Sequence, residues 1–259
     1  MILYGVMEFF DSHSHYNDEK FDNDRDQVIK DTYNNGITKF MCIGYDVEHS
    51  KKAIDIAQKY EFIYATVGIS PNDIDDNFEN YIYIIEDISK NEKVKAIGEI
   101  GLDYYWNKDN KEFQKKAFIE QIKVANNLNL PITIHCRDAY IDTINILKEN
   151  SVTNKGIFHC CPLNQELIKD AVSLGFYVSF SGNITFKNAK AKECILLVPD
   201  DRLLIETDSP YLSPEPYRGT RNTSINVKEV AKKIAEVKEY SLEKIAKITY
   251  ENAKKIYKI

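Results

Sequence analysis

The sequence predicts an α/β protein, a single TIM-type (β/α)8 barrel spanning residues 1–259. Three observations point there. Short apolar runs alternate with longer stretches of helical spacing along nearly the whole chain. Eight such runs can be found, each followed by a helical stretch. Metal-competent side chains recur just past the apolar runs. Eight strand–helix repeats imply a parallel sheet, and closing that sheet into a barrel is the favoured solution. An open doubly wound sheet is the alternative, but neither a G-x-G-x-x-G nor a Walker sequence follows the first run.

In order, the strand candidates are Met7–Phe10, Lys39–Ile43, Ile63–Val67, Val94–Ile97, Ile132–Ile134, Gly156–Phe158, Tyr177–Phe180 and Leu203–Ile205. Each is a short, largely apolar run, as a strand covered by helices on its outer face requires. Helical spacing fills Asp24–Asn35, Val47–Tyr60, Tyr81–Lys90, Lys111–Leu128, Asp138–Glu149, Gln165–Leu174 and Ala189–Leu197, then Val227–Val237 and Leu242–Tyr257. No linker, low-complexity tract or change of composition divides the chain. The apolar start lacks a basic region and a small-residue cleavage site, so it reads as the first strand rather than a signal peptide. Met7 is a second candidate start, which would leave Met1–Val6 as an extension.

Composition narrows the function. Acidic residues outnumber basic ones 40 to 34, which disfavours wrapping nucleic acid in a basic surface. A metallonuclease escapes that objection, because bound cations supply the local positive charge. The cysteines at 42, 136, 160, 161 and 194 are odd in number and form no C-x-x-C pair, as expected of reduced thiols in a cytoplasmic protein. No apolar run approaches the length of a membrane span, and nothing in the chain indicates an obligate protein partner.

In a barrel, chemistry collects at the C-terminal strand ends. His13 and His15 follow strand one, Glu99 strand four and Asp208 strand eight, while His135 and His159 end strands five and six. Singly, each histidine reads as a hydrogen-bonded core or surface residue. Six ligand-type side chains at five strand ends form a constellation. Four imidazoles and two carboxylates exceed the needs of one four-coordinate ion and suit two divalent ions sharing a carboxylate. Strand four lies between the other ligand groups, which makes Glu99 the shared ligand. His13, His15 and Asp208 would hold one ion, and His135 and His159 the other. Asp208 would also accept the proton of an attacking water. Such a set admits Zn, Mn, Ni or Fe, and Mg through carboxylates and water. His49, early in a helix, reads as solvated.

With these residues assembled, the chain resembles the TatD family of metal-dependent deoxyribonucleases, a branch of the amidohydrolase superfamily. Asp11-Ser12-His13-Ser14-His15 resembles its opening motif, and Phe21–Arg25 the segment after it. Gly98-Glu99-Ile100-Gly101-Leu102-Asp103-Tyr104 is similar to its central signature. Glu206-Thr207-Asp208-Ser209-Pro210-Tyr211-Leu212, with Arg218-Gly219 and Arg221-Asn222, is similar to its C-terminal one. The resemblance implies two divalent ions on the six residues named above and hydrolysis of DNA phosphodiesters, often from the 3′ end. It makes Arg137, Arg218, Arg221 and Asn222 candidate phosphate contacts, and Asp11 and Asp103 carboxylates that orient ligands. Tyr104, Tyr105, Trp106 and Tyr211 become candidate stacking partners, although packing accounts for most such aromatics.

One segment departs from the pattern. Where many relatives read Gly-x-His-Pro-His, this chain has Gly68-Ile69-Ser70-Pro71-Asn72. Ser70 and Asn72 would still hydrogen-bond substrate but carry no charge near neutral pH. Two alternatives to a nuclease follow. One is an ester or amide hydrolase on the same site, such as a D-aminoacyl-tRNA deacylase; the other is a metal-binding protein without activity. With no groove-reading motif in the chain, a DNA substrate would be single strands or ends.

Overall fold

A computed structural model describes residues 7–75, 77–106 and 108–259; the extension that a start at Met7 would leave lies outside them. The elements run β1 (Phe9–Ser14), α1 (Arg25–Asn34), β2 (Ile37–Ile43), α2 (Val47–Lys59), β3 (Ile63–Val67), α3 (Phe78–Ile88), β4 (Val94–Asp103), α4 (Lys111–Asn127), β5 (Ile132–Arg137), α5 (Tyr140–Glu149), β6 (Gly156–Phe158), α6 (Gln165–Ser173), β7 (Tyr177–Phe180), α7 (Ala191–Leu197), β8 (Leu203–Ile205), α8 (Val227–Lys238) and α9 (Leu242–Tyr257). The strands pair in parallel in chain order, β1 to β8. A lone parallel bridge between Ser14 and Ser209 then brings the two ends together. The predicted single barrel is the observed one.

Strand alternation divides the apolar residues into two layers. Phe9, Phe40, Cys42, Ile97, Leu203 and Ile205 pack outward against the helices. Phe10, Met41, Ile43, Ala96, Ile157, Tyr177 and Leu204 form a second cluster, which α9 covers with Ala253, Ile256 and Tyr257. Successive residues on a strand face opposite ways, so each run must be apolar on both faces. That is why the strands read as unbroken apolar runs.

The largest departures from expectation lie at the strand ends nearest the site. β1 continues four residues past Phe10 through Asp11, Ser12, His13 and Ser14, all buried. A polar run survives burial because each hydroxyl has a backbone acceptor: Ser12 donates to Ile205 O (2.9 Å) and Ser14 to Met41 O (2.6 Å). β4 and β5 likewise extend beyond Ile97 and Ile134, pairing as far as Asp103 with Arg137. Glu99, His135 and Arg137 therefore lie on strands rather than after them. Gly101 allows this: at φ +136 its position leaves no room for a Cβ, which would lie 2.1 Å from His135 O. α3 begins at Phe78, three residues before the expected Tyr81.

Tyr257 tests how far α9 supports the interior. Its ring stacks on Phe10 (centroids 6.0 Å apart) and its hydroxyl donates to Ser12 O (3.0 Å). Tyr257→Ala should lower unfolding stability by about 3–5 kcal/mol, the cost of a large aromatic cavity. Tyr257→Phe, which removes only the hydrogen bond, should cost about 1 kcal/mol. Urea denaturation measures both, and equal losses would place the stabilisation elsewhere.

Candidate metal centre

All six ligand candidates converge at the C-terminal mouth of the barrel. His13 Nε2 and His15 Nε2 lie 3.1 Å apart. Asp208 Oδ1 approaches them at 3.5 and 3.3 Å. His135 Nδ1 and His159 Nε2 form a second pair, 3.2 Å apart. Glu99 stands between the pairs and divides its oxygens. Oε2 faces His13 (3.5 Å) and His15 (3.8 Å), whereas Oε1 faces His135 (2.8 Å) and His159 (3.3 Å).

The backbone delivers these side chains by different routes. Asp208 adopts φ +58, a left-handed turn that aspartate tolerates, and its N–H donates to His13 O at 2.9 Å. Glu99 N donates to Gly44 O (2.8 Å), tying β4 to the end of β2.

Outer partners settle which ring nitrogen faces inward. Asp103 Oδ2 takes the Nε2 proton of His135 (2.9 Å), and Ile43 O takes the Nδ1 proton of His15 (3.2 Å). His135 Nδ1 and His15 Nε2 are thus left with lone pairs aimed at carboxylates. Lone pairs and carboxylate oxygens repel unless a cation or proton lies between them. Imidazole nitrogens and carboxylate oxygens together are borderline donors suited to divalent metals, so the residues present fit a metal centre.

The electrostatics agree. Burial works against charge on every group here, yet Glu99 is held well below the usual carboxylate range by His159, His13 and His135. Asp208 is lowered in the same way by His15 and His13. Conversely, burial is overcome at His159, raised well above its ordinary value by Glu99 and Glu206. It is overcome too at His15, raised by Asp208, and at His135, raised by Asp103 and Glu99. His13 alone is lowered, by burial and by His159 beside it.

A cavity of about 730 Å³ opens over the centre, lined by Asn72, Trp106, Arg137, Asn183, Tyr211 and Leu212 among others, besides every ligand candidate except the fully buried His13. The Arg137 guanidinium rests 4.0 Å from the Tyr105 ring and 5.4 Å from that of Trp106. Among the described residues no carboxylate pairs with it. Both aromatics are exposed at the rim, as is Tyr211 on the other side, whose ring carries Lys20 at 4.0 Å.

Several expected substrate contacts are placed elsewhere. Arg221 is engaged by both oxygens of Asp24 (2.9 and 2.6 Å). Asn222 is fully buried, its amide donating to Thr207 O and Tyr211 O, so it braces the loop instead of facing the cavity. Ser70 is buried and its hydroxyl accepts from Asn72 N (3.2 Å), the local bond short polar side chains prefer. Arg218 lies over Phe186 (3.8 Å), outside the cavity lining. Tyr104, a stacking candidate, donates to Asp142 (2.7 Å). His49 is not simply solvated: it stacks on Tyr45 (4.2 Å) and meets Asp46 Oδ2 at 2.8 Å. Of the expected phosphate-side contacts only Arg137 and Asn72 line the cavity, joined there by the stacking candidates Trp106 and Tyr211. Glu206, given no role from the sequence, is fully buried against His159, its Oε1 3.4 Å from Nδ1. A carboxylate directly after the apolar Leu203–Ile205 run was the available signal.

A parallel barrel with histidines and carboxylates at its C-terminal mouth defines the class, that of the barrel metal-dependent hydrolases. Comparison narrows it. The family described as "TatD related DNase" matches residues 10–258. The metal-dependent hydrolase YabD of Bacillus subtilis is 45% identical over 252 residues, covering 96% of this chain and 99% of that one. YcfH of Escherichia coli K12 is 34% identical over 261 residues, covering 98% and 97%. The crystal structure of YjjV, a TatD homologue from E. coli K12, superposes with a TM-score of 0.90 at 23% identity, over 98% of this chain and 99% of that one. The chain belongs to the TatD family and is a metal-dependent hydrolase. No helix of the described residues is long and apolar enough to cross a membrane.

Asp11 beneath the centre gives a pH test. It accepts from His13 N (3.2 Å) and Thr207 N (2.9 Å), but burial pushes its carboxyl up to about 7 against those bonds. Between the ordinary value of 3.8 and about 7 the folded chain keeps a proton that the unfolded chain has lost. This group's contribution to stability therefore falls as pH rises through that window. In chelator-treated protein, Asp11→Asn should gain on the parent in urea midpoint from pH 4 to pH 7. Parallel profiles would contradict this.

Proposed function

We propose that this hydrolase cleaves phosphodiester bonds in DNA, acting on single strands or ends, through two divalent ions at the mouth of the barrel. His13, His15 and Asp208 would hold one ion, His135 and His159 the other, with one Glu99 oxygen for each. Two such ions would polarise a phosphoryl oxygen and acidify an attacking water.

The protein's own groups do the rest. Asp208, kept ionised and lining the cavity, accepts the water's proton and can return one to the leaving alkoxide. Arg137 grips a non-bridging phosphate oxygen with its planar fork. Tyr105 holds the guanidinium from below, while Trp106 offers an exposed face to a base. Asn72 donates to Asp103 Oδ2 at 3.4 Å and so supports the partner of His135. The reading rests chiefly on Arg137: an arginine without a carboxylate partner among the described residues, stacked on aromatics beside a metal cradle, suits a phosphate flanked by bases. The family's description supports DNA as the polymer. The five free thiols suit work in the cytoplasm.

End-labelled single- and double-stranded oligonucleotides incubated with Mg²⁺, Mn²⁺ or Zn²⁺ test this, with D-aminoacyl-tRNA as a parallel substrate. We expect a ladder shortening from the 3′ end with at least one metal, and little release of amino acid. Release without DNA cleavage would favour the ester alternative, to which the neutral Asn72 is also suited. Arg137→Ala should lower kcat/KM on oligonucleotides about 10- to 100-fold, the worth of one charge-assisted contact. Hydrolysis of bis(p-nitrophenyl) phosphate, which has no flanking nucleotides, should suffer less. Asp208→Asn should bind metal yet lose nearly all turnover; intact activity would refute its proton-accepting role.

A further inference from the structure

Three of the four central imidazoles have an identifiable neighbour on their outer nitrogen: Asp103 for His135, Ile43 O for His15 and Glu206 for His159. His13 is the exception. Its Nδ1 is fully buried and without a hydrogen-bond partner among the described residues, and so are Glu206 Oε2 and His159 Nδ1, although His159 Nδ1 has Glu206 Oε1 at 3.4 Å. An orphaned nitrogen and an orphaned carboxylate oxygen in one dry region are costly separately and satisfy each other together.

They are neighbours. A nitrogen of His13, a nitrogen of His159 and an oxygen of Glu206 lie within 4.8 Å of one another. The His13 and His159 rings stack with centroids 3.9 Å apart and planes 10° apart. Both rings turn Nε2 toward Glu99, so their Nδ1 atoms share the opposite edge, where Glu206 meets His159 Nδ1. Glu206 Oε1 is anchored by Cys160 N–H at 2.7 Å, leaving Oε2 uncommitted.

We propose that Glu206 is a positioning residue shared by His13 and His159, one carboxylate that accepts Nδ1–H from both rings. It fixes both imidazoles as Nδ1–H tautomers with Nε2 lone pairs facing inward. Because His13 faces one Glu99 oxygen and His159 the other, Glu206 links the two ion positions from outside, as Glu99 does from inside. Asp103, which of the four imidazoles meets His135 alone, serves one side. This inference rests on the two-ion reading above, and it extends to this glutamate the rule that outer partners orient ligand histidines.

The test is Zn²⁺ titration against a chromophoric chelator, with ring-nitrogen NMR on the zinc-loaded protein. The parent should show two binding phases and Nδ1–H tautomers at His13 and His159. Glu206→Gln should weaken both phases, each by about 10- to 100-fold, whereas Asp103→Asn should weaken one. Glu206→Asp keeps the charge but is a methylene too short to reach both rings. It should also weaken both phases, and it stands in if the glutamine variant does not fold. Loss restricted to one phase, or unchanged tautomers at His13 and His159 in the Glu206 variants, would overturn the shared role while leaving the two-ion reading intact. A single zinc in the parent would overturn the two-ion reading and the coupling with it.

Discussion

Two backbone hydrogen bonds, from Asp208 N–H to His13 O and from His15 N–H to Ser209 O, join the end of the last strand to the end of the first. Beyond the Ser14–Ser209 bridge, no β1–β8 ladder assists them among the described residues. The residues that complete the barrel thus include three of the six inner donors, His13, His15 and Asp208. Closure brings Asp208 over His13 and His15, and the gathered donors attract a cation in turn. Ions that bind the closed form and not the unfolded chain would stabilise it by mass action.

Around this seam the chain buries far more polarity than an ordinary core. Asp11, His13, Glu206, Thr207 and Ser209 are fully buried together. The arrangement is tolerable because many of its donors and acceptors are matched across elements distant in sequence. Ser12 reaches Ile205 O, Thr207 reaches Asp11, and Tyr257 reaches Ser12 O. Each carboxylate near the centre is also placed against an imidazole or a backbone N–H, so charge is compensated locally where water cannot do it. Glu99 carries this furthest, with one oxygen for each pair of rings.

Where the fold was legible, it was legible through period and apolarity. β3, β6, β7 and β8 match the apolar runs residue for residue, because they bury no charged or ligand-type side chain, only the small hydroxyls of Thr66 and Ser179. β1, β4 and β5 outran their apolar segments, since burying Asp11 or Glu99, or half-burying His135, depends on partners that no local pattern displays. At the site, the six ligand candidates could be found because histidines and carboxylates recur at strand ends. The contact residues could not be sorted in that way. Arg137 and Arg221 look alike in the chain, yet Asp24, some two hundred positions away from Arg221, occupies one guanidinium while aromatics leave the other exposed.

The amino-acid order alone determined the parallel barrel, its element sequence and the set of donors, because strand and helix periods and the placement of ligand types at strand ends are local properties. The three-dimensional arrangement decided which nitrogen of each imidazole turns inward, that Glu99 splits its oxygens, and that Glu206 lies behind two stacked rings. Those outcomes depend on which acceptor stands behind each side chain. Only the pairing of the strands and the closing of the barrel bring such acceptors within reach.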